Sequence, residues 1–254
     1  MCAYIRKDIK VEVCAGSLED CVYANQAGAD RIELNNAIHL GGLTPSIGTL
    51  IESKKQTNIP IVTMVRPRGG GFYYNDYEKA TMYEDAKILI KHQADGLVFG
   101  FLDVNRQIDV EVTRKFVELC HKNKVEAIFH RAFDRTADPF YAIETLISCG
   151  VNRILTSGLQ SSAEQGMKLL AELQQKYGDK IEICVGAGVN EKNVLKIIAE
   201  TKISQVHSSF KGWYEDPTTS GNEVSYRYSE QGDYEGVSLS KLNSFINILK
   251  EESR

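Results

Sequence analysis

Apolar, β-rich runs recur along the chain at residues 9–14, 31–35, 60–66, 96–99, 125–130, 153–156, 180–185 and 205–208, separated by stretches of helical periodicity. Their spacing averages ~30 residues, the length of a strand–helix unit. Ser17, Asp76, Asp138, Ser161 and Asn190 each precede a 3.6-residue pattern and are expected to cap it, while Gly28, Gly150 and Gly178 stand near helix ends. Strands alternating with helices build a parallel sheet, and eight such units predict an α/β protein with a single (β/α)8 TIM barrel over residues 1–254. The competing open, doubly wound sheet calls for a GxGxxG turn after the first strand, where this chain reads Cys14-Ala15-Gly16-Ser17. One segment breaks the rhythm. Residues 210–237, after strand 8, form a long polar loop carrying Phe210, Trp213, Tyr214, Tyr226, Tyr228 and Tyr234, and side chains of this kind seek burial. A lid or a subunit contact is expected there.

Strands of a parallel barrel are covered on both faces and read as continuous aliphatic runs, so charged residues inside them require a reason. Glu12, Glu33, Arg66 and His130 all fall late in their strands, at the C-terminal mouth where barrel active sites are built. Two-residue alternation places Cys14 on the face of Glu12, Asn35 on that of Glu33 and Met64 on that of Arg66, with Asp134 in the loop after His130. Two readings stay open. In one, Glu33 and Arg66 neutralise each other within the barrel and Glu12 joins the network. In the other, Glu12, Glu33, His130 and Asp134 are catalytic acid–base or hard metal-binding groups. Stability alone is served more cheaply by aliphatic side chains, which favours a site.

The turn Gly186-Ala187-Gly188-Val189-Asn190 after strand 7 and Ser208-Ser209 after strand 8 occupy the two loops in which many barrels hold a phosphate. Ser157-Gly158 widens that cradle, and a helix starting near Asn190 is expected to aim its N-terminal dipole inward. Arg66-Pro67-Arg68-Gly69-Gly70-Gly71 supplies two guanidinium groups beside a flexible run, suited to an anion. The expected substrate-binding set is therefore Arg66, Arg68, Ser157, Gly186, Gly188 and Ser208. His207 is a weaker candidate at the end of strand 8, and His39, His92 and His121 are set aside as loop or helix-surface residues.

With 254 residues, 43% hydrophobic and 25% charged, the chain carries enough apolar material for a sizeable core. Thirty basic against 34 acidic residues give a net charge of -4, which argues against nucleic-acid binding. No apolar run approaches the ~20 residues of a membrane helix. Residues 1–8 lack the pattern of a secretion signal, so a cytoplasmic protein is expected. The six cysteines, at 2, 14, 21, 120, 149 and 184, include no Cys-x-x-Cys pair and are expected to be reduced. Cys21, Cys120 and Cys149 fall in helices, Cys184 within strand 7 and Cys2 in the tail, leaving Cys14 at the mouth; with Met64 it offers a partial soft site for Cu(I).

Glu12-Val13-Cys14, Ala27-Gly28-Ala29-Asp30-Arg31-Ile32-Glu33-Leu34, Gly42-Leu43-Thr44-Pro45-Ser46, Met64-Val65-Arg66-Pro67-Arg68-Gly69-Gly70 and Phe129-His130-Arg131-Ala132-Phe133-Asp134 occur in this order. Together with Leu155-Thr156-Ser157-Gly158 and Gly186-Ala187-Gly188-Val189, they resemble the CutC family over roughly residues 9–210. The resemblance implies a cytoplasmic TIM barrel, usually a homo-oligomer, a homodimer or higher, with a name drawn from copper homeostasis and no known reaction. It also implies Cu(I) ligands at cysteines near the ends of strands 1 and 2. The first maps onto Cys14; at the second, where relatives often read Ile-Glu-Leu-Cys, this chain reads Ile32-Glu33-Leu34-Asn35, and asparagine has no thiolate. Two functions follow as expectations: copper handling through Cys14 with help from Met64 or His130, or an enzyme acting on a small anionic, phosphorylated metabolite.

Overall fold

The strands expected from the hydrophobic pattern all form, each within two residues of its expected ends, in a computed structural model that describes residues 9–251. Cys2 and the N-terminal residues 1–8 lie outside the described residues. The order is β1 (Lys10–Ala15), α1 (Leu18–Ala27), β2 (Arg31–Leu34), α2 (Ile47–Gln56), β3 (Ile61–Met64), α3 (Asp76–Lys91), β4 (Gly96–Phe99) and α4 (Val110–Lys122). The second half runs β5 (Glu126–Phe129), α5 (Pro139–Cys149), β6 (Arg153–Thr156), α6 (Ala163–Tyr177), β7 (Glu182–Val185), α7 (Val194–Thr201) and β8 (Gln205–Ser208). All neighbours pair in parallel, and β8 returns to β1 with Val11 opposite Val206 and Glu12 opposite His207, so the sheet closes into a (β/α)8 TIM barrel.

Local chemistry sets the helix ends. Ser17 accepts the Asp20 N–H and Asp138 those of Phe140 and Tyr141, while Gly28 and Gly150 close their helices in the left-handed region. Two caps fall one residue from expectation. Asn75, in a capping box with Glu78, caps α3 where Asp76 is the expected cap, and Ser162 caps α6 in place of Ser161. The third shift is larger: α7 starts at Val194, because Asn190 is spent in a preceding turn.

Side chains alternate between the helical shell and the barrel interior. The outward set, with the inner helix faces, makes the main core, whereas Val62, Met64, Val98 and Ile128 form a separate apolar cluster contributed by β3, β4 and β5. The loop expected over residues 210–237 is instead an ordered excursion. Strands β9 (Lys211–Tyr214) and β10 (Tyr234–Val237) pair antiparallel within it, before α8 (Leu239–Glu251) packs on α1. Buried Asp20 anchors the ribbon, accepting the Gly16 N–H on one oxygen at 2.8 Å and the Val237 N–H on the other at 2.7 Å.

Candidate functional site

Closure of the barrel sets His207 beside Glu12, two residues far apart in the chain but opposite each other in register. His207 Nδ1 lies 2.8 Å from Glu12 Oε1 and 3.3 Å from Glu33 Oε2, so one imidazole bridges two carboxylates from β1 and β2. Below them, Arg31 Nε donates to Glu12 Oε2 and Arg31 Nη2 to Gln205 Oε1 at 3.1 Å. Arg153, 1% exposed, faces Glu126 at 2.9 Å, Glu182 at 3.5 Å and Glu12 at 3.7 Å. Buried carboxylates survive ionised only beside such partners.

The titration of these groups follows from their neighbours. Burial by itself raises the Glu12 pKa, but the Arg31 guanidinium, the His207 hydrogen bond and Arg153 outweigh it and hold Glu12 well below the ordinary carboxylate range. Burial also disfavours a charged His207; the Glu33 charge and hydrogen bonds with Cys14 and Glu12 prevail, raising it well above its usual value. Glu33 is pushed upward, by burial first and by the Glu12 charge, against the pull of His207. The Cys14 thiol is raised by burial and by the two glutamates, despite its bond to His207. At neutral pH the centre therefore contains a protonated imidazole, an ionised Glu12 and a protonated thiol. Glu12, Glu33 and His207 present ligand atoms within 4.8 Å of one another, compact enough for a metal ion, although protonated His207 already supplies positive charge between the carboxylates.

Two connected cavities open above this centre. The inner one, about 180 Å³, is lined by Cys14, Glu33, Asn35, Met64, Arg66 and His130 among others. The outer one, about 500 Å³, shares Cys14, Arg131 and His207 with it and is bordered by Gly188, Ser208, Ser209 and the cations Lys192, Lys211 and Lys241, with Glu191. Glu33, His130, Cys14, Met64 and Arg66 thus line the inner cavity as the alternation indicated, while Glu12 lies beneath it, paired with Arg31 and His207. Arg66, however, does not meet Glu33: its Nη1 donates to the carbonyls of Leu40, Gly41 and Gly42, each at 3.1 Å, and its Nη2 to that of Gly70 at 2.6 Å. Gly42, at φ +83, must be glycine, since a Cβ there would lie 2.3 Å from Asn35 Oδ1.

Several expected residues serve the walls. Arg68 pairs with Glu78 and donates to the carbonyls of Gly69, Gly71 and Tyr73. Asp134 accepts from Arg131, Thr156 and the N–H groups of Ser157 and Leu159, pinning the loops after β5 and β6, and Ser157 is held in the same knot. Gly186 makes room inside the barrel, where a Cβ would come 2.9 Å from Leu155 and 3.3 Å from His207. The helix dipole expected at Asn190 is not delivered: Asn193 caps the Asn190 N–H and Asn190 the Lys192 N–H. Of the expected phosphate cradle, Ala187, Gly188, Val189, Asn190, Ser208 and Ser209 border the outer cavity, whereas Gly186, Ser157 and Gly158 do not.

Sequence reasoning ranked His207 too low and passed over Arg31 and Arg153, which open strands 2 and 6. The available signal was the one used for Glu12, a charge within a strand covered on both faces. His39, set aside, stacks on Tyr228 with ring centroids 4.6 Å apart and lies 3.8 Å from Glu235 of the ribbon. Lys211 and Glu235, paired with each other, bring the ribbon to the wall beside Cys14 and Ile38.

Comparison with known proteins is consistent along the length of the barrel. Residues 9–212 match the model of the CutC family. A family protein CutC of Treponema denticola is 43% identical over 247 residues, covering 96% of this chain and all of its own length. One from Bacteroides thetaiotaomicron is 42% identical over 80% of this chain and 81% of its own. Among solved structures, a proposed copper homeostasis protein CutC from Streptococcus agalactiae superposes with a TM-score of 0.73 at 33% identity, over 79% of this chain and 98% of that one. Phosphoribosylanthranilate isomerase from Thermotoga maritima, at 14% identity and a TM-score of 0.57, shares the fold. This chain belongs to the CutC family.

Proposed function

We propose that the barrel mouth is an acid–base active site for a small anionic, phosphorylated substrate. The observation that carries this reading is the His207 imidazole held between Glu12 and Glu33 at the floor of an open cavity. Glu12, fixed by Arg31 and Arg153, orients His207 and keeps its proton in place. Glu33 makes no arginine ion pair among the described residues, and burial, against the pull of His207, raises its pKa, the direction that makes a carboxylate a better base. Lys192 and Lys241 border the cavity beside Glu191, joined by Lys211 and Arg131, which are paired with Glu235 and Asp134, and this basic rim attracts an anion.

The test is calorimetric titration with inorganic phosphate and a panel of sugar phosphates, joined to NMR detection of deuterium exchange into bound compounds. Binding should weaken in Lys192→Ala with Lys211→Ala and as salt is raised. Glu33→Gln should abolish exchange while leaving binding in place. Phosphate binding that is absent, or indifferent to both lysines, overturns the proposal.

Copper as cargo is the second reading, favoured by the presence of Cys14 and Met64 in one cavity and by the copper-homeostasis name of the Streptococcus agalactiae relative. The residues do not fit Cu(I). Asn35 occupies the place of a second thiolate and donates its Nδ2 to Cys14 Sγ at 3.5 Å, and the Cys14 thiol is itself held protonated by burial and the nearby glutamates. Two carboxylates and an imidazole are hard or borderline donors, poorly matched to a soft ion. One tight equivalent of Cu(I) under anaerobic titration, lost in Cys14→Ala, would reverse this ranking.

A further inference from the structure

Two donors on residues of the inner cavity have no acceptor among the described residues. His130 is 3% exposed and follows β5; its Nδ1 accepts the Ala132 N–H at 3.1 Å, which places the ring proton on Nε2. Burial, aided by the Arg66 charge, lowers its pKa to about 3, so the ring is neutral throughout the physiological range. Among the described residues no hydrogen-bond partner meets Nε2. Arg66, 4% exposed, spends its terminal nitrogens on four carbonyl groups and lies against the buried Tyr74 hydroxyl, while its Nε meets no hydrogen-bond partner among the described residues. Both residues line the cavity that holds Glu33, and Phe72 covers them, its ring 4.9 Å from that of His130 and 5.1 Å from Arg66 Cζ. Space for the imidazole is made by Gly100, where a Cβ would fall 2.5 Å from His130 Cε1. A buried donor without an acceptor is costly, and natural proteins keep such groups where a ligand supplies the acceptor.

We infer that His130 Nε2–H and Arg66 Nε–H bind one oxygen of the substrate, a carbonyl oxygen, so that the substrate class is a small phosphorylated carbonyl compound. This rests on the acid–base reading of the mouth. Glu33 takes a proton from the carbon beside the carbonyl; the C–H pair becomes the carbon–carbon double bond and the carbonyl π pair moves onto oxygen. His130 and Arg66 stabilise that enolate oxygen, and return of the proton from Glu33 to the same carbon restores the carbonyl. No electrons leave the substrate and no second reactant is consumed. A neutral imidazole suits this role because it donates a hydrogen bond without surrendering its proton. His130, read from sequence as an acid–base residue, becomes an electrophile.

The experiment uses 15N-labelled protein titrated with inorganic phosphate and, separately, with phosphoglycolate, whose carboxylate stands in for the enolate oxygen. Phosphoglycolate should bind at least tenfold more tightly than phosphate and move the His130 Nε2–H resonance downfield, while phosphate leaves that resonance in place. His130→Leu should remove roughly tenfold of the phosphoglycolate affinity and none of the phosphate affinity, and His130→Gln, which keeps an N–H donor, should recover part of it. If phosphate binds but phosphoglycolate gains nothing, or if the resonance does not move in the wild-type protein, the inference falls alone. If phosphate itself fails to bind, the reading of the mouth falls and this inference with it.

Discussion

The interior of this barrel has two unlike halves. Facing β3, β4 and β5, Val62, Met64, Val98 and Ile128 pack as an ordinary aliphatic plug. Facing β1, β2, β6 and β8, Glu12, Arg31, Glu33, Arg153, Gln205 and His207 form a buried ionic lattice. Both halves are shielded by the same shell of helices, so the difference is not one of solvent access. It teaches that the polar interior follows the strands that close the barrel, running from Arg31, Arg153 and Gln205 at the strand starts up to Glu33 and His207 beneath the cavities.

The comparison is broken most severely by removing one member of the lattice. Arg31→Met strands Glu12, and unfolding in urea should show a loss of about 3–5 kcal/mol, the usual cost of an uncompensated buried charge. A loss below ~1 kcal/mol would mean that Arg153 and His207 suffice to hold Glu12. In the aliphatic half, Ile128→Ala should cost about 2–4 kcal/mol through lost burial and a residual cavity, with the proton chemistry of His207 unchanged by NMR titration. An altered His207 titration would show that the halves are coupled.

Acidification separates the halves by charge. The folded pKa of Glu12 is depressed, so its stabilising contribution is present above the unfolded carboxylate value and fades as pH falls below it. His130 stays neutral in the fold down to about pH 3 while the unfolded imidazole protonates near ~6.5, so stability should drop by a few kcal/mol across that window. His130→Gln should flatten this part of the curve. His207 acts in the opposite sense: its folded pKa is raised, its contribution is complete below the unfolded value, and it is lost as pH rises through the raised one. Urea midpoints measured from pH 4 to 10 should therefore decline at both ends.

A gentler change sharpens the contrast. Glu33→Gln removes the carboxylate that lacks an arginine while keeping its shape, and should shift stability by no more than ~1 kcal/mol because relief of repulsion with Glu12 offsets the lost attraction to His207. The His207 pKa should fall measurably, since the Glu33 charge is the largest favourable influence raising it. An unchanged His207 titration would remove Glu33 from the proton-transfer centre.

Much of this was legible in the chain. The eight strands were, because a parallel strand covered on both faces must be apolar, and eight such runs in 254 residues leave few other folds. Glu12 and Glu33 stood out for the same reason, as charges where none are affordable. Their partners did not. Alternation tells which face a side chain takes but not which strand lies across from it, so the Glu33–Arg66 pairing suggested by adjacent strands gave way to Arg66 bonding the carbonyls of residues 40–42, and to His207 between the glutamates. The ribbon of β9 and β10 was hidden because its polar, tyrosine-rich strands lack the alternation of a sheet with one buried face; they are held by single contacts such as Asp20 to the Val237 N–H.

The sequence by itself determined the architecture and the end of the barrel at which polar chemistry gathers, because periodicity and strand position are local properties of the chain. Only the tertiary structure decided which groups are paired, protonated or left without an acceptor. Those states depend on distances of a few ångströms between residues as remote in sequence as Glu12 and His207, which meet only when β8 closes on β1.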